Sequence, residues 1–374
     1  MKLVLLGDGE SPHLLKWARA LAPQVELWAA SSRGFAPGFD ALVPPERRLA
    51  LATRPNFEGG NAALLRQLPR LARWLRRVRA DWIPAHDLSS HGTLAWLATR
   101  WLGVPGRLVG SAWGSDILVT PQRSRLMRWV TGRVLRACAL STSDSQVMAQ
   151  QMHALGALEV MVFPFGLEAM PQQPAPGSKR DHLFFANRGL ESIYAPAQVL
   201  RQFAGVAGGW PDAELVVAND GALRPLLENL AAELGIASQV RFVGRLDTEL
   251  QARWYAQARW YLSLPESDSV SVSVLEAMAH GCIPILSDLP ANRELVRSGD
   301  NGLVLAVAQK LRASDLTALL PHAEAIAQAN QGWVARHALF APAVSRFLAR
   351  LRALDAAAAA SRSRPVAQPP DRPA

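Results

Sequence analysis

The feature that most limits what this chain can fold into is a rhythm that runs twice. Short apolar runs alternate with longer amphipathic stretches, stop at a segment rich in Pro, Gln and Gly over residues 170–179, and then begin again. Such alternation is the pattern of βαβ units, which need a parallel sheet with helices on both faces. In the first round, strands are expected over residues 2–6, 25–29, 82–85, 108–111, 139–142 and 161–164. Helices are expected over 12–21, 92–101 and 125–137, with a longer one over 64–80 interrupted near Pro69. In the second round, strands fall at 183–186, 214–218, 240–243, 260–264 and 283–286, and helices at 197–207, 224–234, 248–257, 275–280 and 292–296. The expected fold class is α/β, with two Rossmann-like doubly wound domains facing a central crevice. The expected boundaries are 1–168, a linker at 169–180, 181–340, a C-terminal helix at 341–355, and an unstructured Ala/Ser/Arg/Pro tail at 356–374. In such sheets a ligand sits beyond the carboxyl ends of the strands.

A length of 374 residues suits two domains, and 49% apolar residues is enough to fill two cores. The two cysteines, Cys138 and Cys282, lie far apart and without metal-ligand spacing, which suits a reducing compartment. The opening apolar run is too short for a signal-peptide core, and no stretch approaches the roughly 18 uncharged apolar residues of a spanning helix. A cytoplasmic protein is expected, soluble or peripheral on the inner face of the membrane. Its net charge of +9 is confined to one half: residues 1–165 hold 20 Lys/Arg against 11 Asp/Glu, and the remainder holds 20 against 20. The first half therefore faces something anionic.

The stretch that carries chemistry is Pro265-Glu266-Ser267-Asp268-Ser269-Val270-Ser271-Val272-Ser273-Val274-Leu275-Glu276-Ala277-Met278-Ala279-His280-Gly281. Asp268 follows an apolar strand, so it belongs at a strand's carboxyl end. Leu275 to Ala279 are strong helix formers and Gly281 is a helix stop. A helix that begins among the serines aims free N–H groups at the crevice, where they bind phosphate, and Glu276 near that start can accept from ribose hydroxyls. The same residues allow another reading. Val270, Val272 and Val274 alternate with serines at period two, which taken alone describes a strand.

The stretch resembles the E-x7-E signature of family 4 glycosyltransferases, with Asp268 in place of the first Glu. Further elements fit in order: Val240-Arg241-Phe242-Val243-Gly244 before it, and Gly281 to Leu286, Glu294-Leu295-Val296 and Asp300-Asn301-Gly302-Leu303-Val304 after it. The resemblance implies a GT-B fold with acceptor in the first domain and nucleotide-sugar donor in the second. It further implies transfer with retention at the anomeric carbon, no cofactor and no metal. By it, Glu276 holds the donor ribose. Asp268 faces the sugar with Ser269, Val270, Ser271 and Leu275, whose amides follow it. Arg188 stabilises the departing diphosphate, for which a guanidinium fork is suited. The lysine usual about five residues beyond that arginine is missing; Ser192, Ile193 and Tyr194 stand there. In the first half, Gly9 of Gly7-Asp8-Gly9 resembles the turn close to the donor, though a tight turn alone explains it as well. His86 and Asp116, with His91, are the polar candidates near the crevice, because Trp113 occupies the position of the family's histidine. Two other functions fit the outline: a catalytically inactive GT-B binding protein, and a sugar-nucleotide epimerase of the same architecture.

Two segments are basic and amphipathic. One carries Arg66, Arg70, Arg73, Arg76, Arg77 and Arg79 with Trp74; the other carries Arg123, Arg125, Arg128, Arg133 and Arg136 with Trp129. Such helices lie on anionic membrane surfaces, although a single one is equally a solvated helix on a domain core. They point to a glycan or lipid-linked acceptor in cell-surface polysaccharide or glycolipid synthesis. Nucleic acid is not expected, since no base-reading module is present.

Overall fold

The computed structural model describes residues 1–53, 62–173, 175 and 177–362. The first sheet has seven strands: β1 (Lys2–Gly7), β2 (Glu26–Ser31), β3 (Arg48–Ala50), β4 (Trp82–His86), β5 (Arg107–Ser111), β6 (Cys138–Ser143) and β7 (Val160–Val162), in the order β3-β2-β1-β4-β5-β6-β7. The second has six: β8 (Arg180–Ala186), β9 (Glu214–Ala218), β10 (Val240–Gly244), β11 (Ala258–Ser263), β12 (Ile283–Ser287) and β13 (Leu303–Leu305), in the order β10-β9-β8-β11-β12-β13. Every pairing between these strands is parallel. In each sheet the order reverses beside the first strand of the round, β1 or β8, which opens a crevice at the carboxyl edge. The edge strands β3 and β13 are three residues each, too short to show as apolar runs.

The central strands are buried on both faces, as parallel strands under two helical layers must be: Leu3 to Leu6 and Leu183 to Phe185 are fully buried. The helices that place the site or its surroundings are α1 (Pro12–Leu21), α2 (Leu68–Val78), α3 (Thr93–Trp101), α4 (Arg125–Ala137), α5 (Gln146–Leu155), α6 (Thr248–Gln257), α7 (Val272–Ala279), α8 (Pro290–Leu295) and α9 (Phe340–Arg362). Pro69 sits in the first turn of α2, where it is tolerated, and a separate short helix, Ala62–Leu65, precedes it.

The last helix is longer than expected. It runs through Arg362, so residues 356–362 of the expected tail are helical, and residues 363–374 lie outside the described residues. It also packs on the first domain. Phe340, Val344, Phe347, Leu348 and Leu351 are buried with Leu14, Trp17, Leu21, Trp82 and Phe163. Trp17 meets the rings of Phe340 and Phe347 at 5.0 and 5.4 Å, the indole of Trp82 donates to Asp355 at 3.0 Å, and Arg350 pairs with Glu159 at 2.6 Å. The chain thus crosses between domains twice, side by side. The amide of Leu167 donates to Ala338 and that of Phe340 to Leu167, both at 2.8 Å. Gly166 is required there, because a Cβ would fall 1.8 Å from the carbonyl oxygen of Ala338.

Candidate active site

A cleft of about 630 Å³ lies between the two sheets' carboxyl edges, lined from the second domain by Asn187, Arg188, Asp268, Val270 to Ser273 and Glu276. The alternating Ser-Val stretch proves helical from Val272. Val270, Val274 and Met278 are buried while Val272 is half-exposed, a spacing of four that marks one helix face rather than one strand face. Ser271 is the N-cap of α7 and makes no capping bond with its own helix. The amide of Val274 already bonds to the carbonyl oxygen of Ser271, so the first-turn amides left without an intrahelical acceptor are those of Val272 and Ser273, both residues that line the cleft.

Arg188 leaves the end of β8 and is fixed on three sides. Its Nη2 pairs with Asp268 at 2.8 Å, its Nη1 donates to the hydroxyls of Ser271 and Ser273, and its guanidinium lies 4.3 Å from the ring centre of Tyr194. Glu276 projects from α7. Its Oε2 accepts from Gln251 at 2.9 Å and lies 3.2 Å from the hydroxyl of Tyr255, itself 3.2 Å from the carbonyl oxygen of Ser273. Burial pushes the Glu276 carboxyl above its usual range, and the bond with Tyr255 and the charge of Lys16 oppose that. The Asn219 amide donates to Asn187 at 2.8 Å, and Asn187 donates to Tyr255 at 3.3 Å. This chain of polar groups links the ends of β8 and β9 to Glu276.

Apart from Trp113, the first domain contributes residues that no local motif marks. Pro12, His13 and Lys16 of α1, with Trp113, Asp144 and Phe165, form the opposite wall. His13 meets the edge of Trp113 at 5.5 Å. Burial and the neighbouring Lys16 and Arg188 push its pKa down to about 4, so it is neutral. Asp144, at the end of β6, accepts from the hydroxyl of Ser269 across the domain boundary. Burial raises its carboxyl to about 7. Nearby, the amides of Gln146 and Val147 at the start of α5 donate to Glu294 of α8 at 2.8 and 2.7 Å, a carboxylate at a helix N-terminus.

Six candidates from the sequence do not reach the cleft wall. His86 is buried behind it; its Nδ1 accepts from the indole N–H of Trp113 at 3.1 Å, and burial pushes its pKa to about 3. Asp116 is buried too and accepts from the amides of Leu88 and Trp113 at 2.8 and 2.9 Å, which ties together the loops after β4 and β5. Both bond to Trp113 and neither lines the cleft, and His91 is likewise buried, its Nδ1 2.7 Å from the carbonyl oxygen of His86. Gly9 is set by packing, because a Cβ there would meet the carbonyl oxygen of Gly34 at 2.5 Å. Leu275 is wholly buried in the core and its amide is spent on Ser271 within the helix. Ser269 faces Asp144, so its part is to join the domains.

Comparison with known proteins fits this geometry. Residues 2–150 match the family model described as "Glycosyl transferase 4-like", and residues 168–329 match that described as "Glycosyl transferases group 1". The chain is a family 4 type glycosyltransferase with the GT-B fold. This glycosyltransferase is 28% identical over 164 residues to a phosphatidyl-myo-inositol mannosyltransferase of Mycolicibacterium smegmatis, a match over 42% of this chain and 41% of that protein's length. The solved structure of HepE from Anabaena with UDP and glucose superposes at a TM-score of 0.77 with 14% identity, covering 94% of this chain and all of that one. Sucrose-phosphate synthase from Thermosynechococcus elongatus superposes at 0.75 with 15% identity, covering 96% and 100%. At such identities the likeness shows the fold alone.

Proposed function

We propose that this glycosyltransferase takes a sugar from a nucleotide-sugar donor in the cleft and delivers it, with retention at the anomeric carbon, to an acceptor held against the first domain. The observation that carries this reading is the convergence of Arg188, Asp268, Glu276 and the start of α7 on one cavity. Glu276 accepts from the ribose, the amides at the start of α7 and the guanidinium of Arg188 hold the diphosphate, and Asp268 faces the sugar. As the anomeric carbon–oxygen bond to the diphosphate breaks, the acceptor oxygen bonds to that carbon on the same face. The acceptor's proton passes to a phosphate oxygen of the leaving group. Arg188 and the helix end stabilise the charge that grows there. The solved relatives named for UDP favour a uridine donor. Thermal shift and donor hydrolysis with UDP, GDP and ADP sugars test the reading. Stabilisation and slow hydrolysis by one set are expected; no response to any donor would leave only a binding protein.

The acceptor we assign is lipid-linked, consistent with the name of the mannosyltransferase relative. A groove of about 640 Å³ on the first domain is lined by Trp96, Arg100, Trp101, Trp129, Arg133 and Arg136. Trp101 and Trp129 are 73% and 54% exposed, with Leu126 beside them at 67%. Among the described residues, none of Arg100, Arg125, Arg128, Arg133 or Arg136 has a carboxylate within ion-pairing distance. Exposed indoles beside unpaired guanidinium groups suit a bilayer surface of anionic lipid. Trp74, expected to share this role, is taken by the fold instead: its ring meets Trp28 at 5.9 Å and packs on the core. Trp101 stands in its place. Co-sedimentation with anionic liposomes at low salt is expected, and its absence would make the acceptor a soluble glycan.

A further inference from the structure

The donor side of the cleft is poor in positive charge. Asp268, Glu276 and Glu191 line it, Asp144 faces them from the opposite wall, and Arg188 is already committed to Asp268. A nucleotide diphosphate brings further negative charge, and more develops as the sugar departs. Among the described lining residues, one other cation is present, Lys16 of the opposite domain. Its ammonium is largely buried and donates to the carbonyl oxygens of Phe165 and Gly166 at 2.9 and 2.8 Å, and it lies 5.4 Å from the ring centre of Phe340. Among the described residues no carboxylate is within 4.0 Å of it, although Glu276 and Glu168 are near enough to raise its pKa against the burial that lowers it. A buried ammonium that holds two neutral carbonyls keeps one N–H and its whole charge for something else, and an unpaired buried charge is costly unless an anion arrives.

We propose that Lys16 is a second cation for the donor diphosphate, reaching from the first domain across the cleft to a ligand otherwise held by the second. Lys16 grips the Phe165–Gly166 crossing with two bonds and the phosphate with the third. The donor then touches both domains at their junction, so binding it holds them in one arrangement. This rests on the donor reading above and is separable from it.

The experiment compares nucleoside mono- and diphosphate affinities, using UMP with UDP, GMP with GDP and AMP with ADP, on the wild type and on Lys16→Met, Lys16→Arg and Arg188→Ala. The wild type gains affinity from the second phosphate. Lys16→Met is expected to shrink that gain about tenfold or more, the loss of one charge-assisted bond, while monophosphate affinity changes little. Lys16→Arg should restore most of it. A merely structural lysine would weaken both nucleotides alike and leave the gain intact, and that result overturns the proposal. Should Lys16→Met fail to fold, Lys16→Arg and Lys16→Gln still decide, since only the charged variant should retain the gain. A wild type that binds none of the six nucleotides refutes the donor reading itself. A gain lost in Arg188→Ala but kept in Lys16→Met refutes Lys16 alone.

Discussion

Removal of the Glu276 side chain separates binding from folding, and the structure sets the size of both effects. The two protein hydrogen bonds to this carboxylate reach Oε2, and among the described residues none reaches Oε1, which leaves that oxygen for a ligand hydroxyl. A hydrogen bond to a charged group contributes about 1.5–3 kcal/mol, so Glu276→Ala should weaken donor or nucleoside diphosphate binding about 10- to 150-fold. Folding should suffer little. The hydroxyl of Tyr255 keeps the carbonyl of Ser273 as an acceptor at 3.2 Å, Gln251 is half-exposed and regains water, and a carboxylate whose burial is unfavourable is removed. Because the folded carboxyl is raised, its contribution to stability is present below the unfolded pKa and is lost as pH rises. The variant should therefore hold its melting temperature best at neutral pH. Calorimetric titration with nucleoside diphosphate, beside thermal unfolding at neutral pH, reads both. Affinity within threefold of wild type in a folded variant would refute the role of Glu276; a large loss of stability would refute the claim that its protein contacts are dispensable.

Arg188→Ala should cut turnover more than donor affinity, at least tenfold in kcat by steady-state kinetics, since its charge matters most as the leaving group departs. Chelation with EDTA should leave activity unchanged in a coupled assay with and without Mn²⁺, because among the described residues no group of three His, Cys, Asp or Glu can hold an ion. Asp144 has a folded pKa of about 7 against 3.8 for the free residue. Its stabilising effect is present below about pH 4 and lost as pH rises to about 7, so the difference between wild type and Asp144→Asn in urea unfolding should move in favour of the variant across that window. A flat difference would place the titration elsewhere. Trp101→Ala with Trp129→Ala should abolish the salt-resistant part of liposome binding, and Arg133→Gln with Arg136→Gln the salt-sensitive part, both read by co-sedimentation.

Much of this was legible in the chain. The two rounds of apolar runs specify two parallel sheets because buried parallel strands must be apolar on both faces, and Leu3 to Leu6 are. Glu276, Asp268 and Arg188 are singled out through the resemblance to family 4 glycosyltransferases, since local pattern alone leaves the stretch open to a strand reading, and all three line the same cleft. Period two at Val270–Val274 misleads, since the serines between are spaced for an N-cap and first turn as well as for a strand. His13 and Lys16 were not legible. They lie on an amphipathic helix whose apolar side is evident, but the wall they face across the cleft belongs to the second sheet, more than 150 residues away in sequence. His86 and Asp116 look functional for the same reason that they are buried: strand ends collect polar groups, and only the fold decides which face a ligand. Gly9 and Gly166 show that a tight approach of backbone to backbone leaves the same mark in sequence as an approach to phosphate.

The return of α9 to the first domain makes that domain discontinuous, and biosynthesis must respect it. A ribosome delivers residues 1–168 long before Phe340, Phe347 and Leu351 exist, so one face of the first sheet's helical layer, around Trp17 and Trp82, stands open to water while the whole second domain is made. The second domain can close its own core as it emerges. The first is finished last, by a strap that also clamps the two crossings together at Leu167 and Ala338. A fragment that stops at the linker should expose that apolar face and aggregate, whereas the same fragment supplied with residues 338–362 as a separate peptide should be rescued in soluble yield.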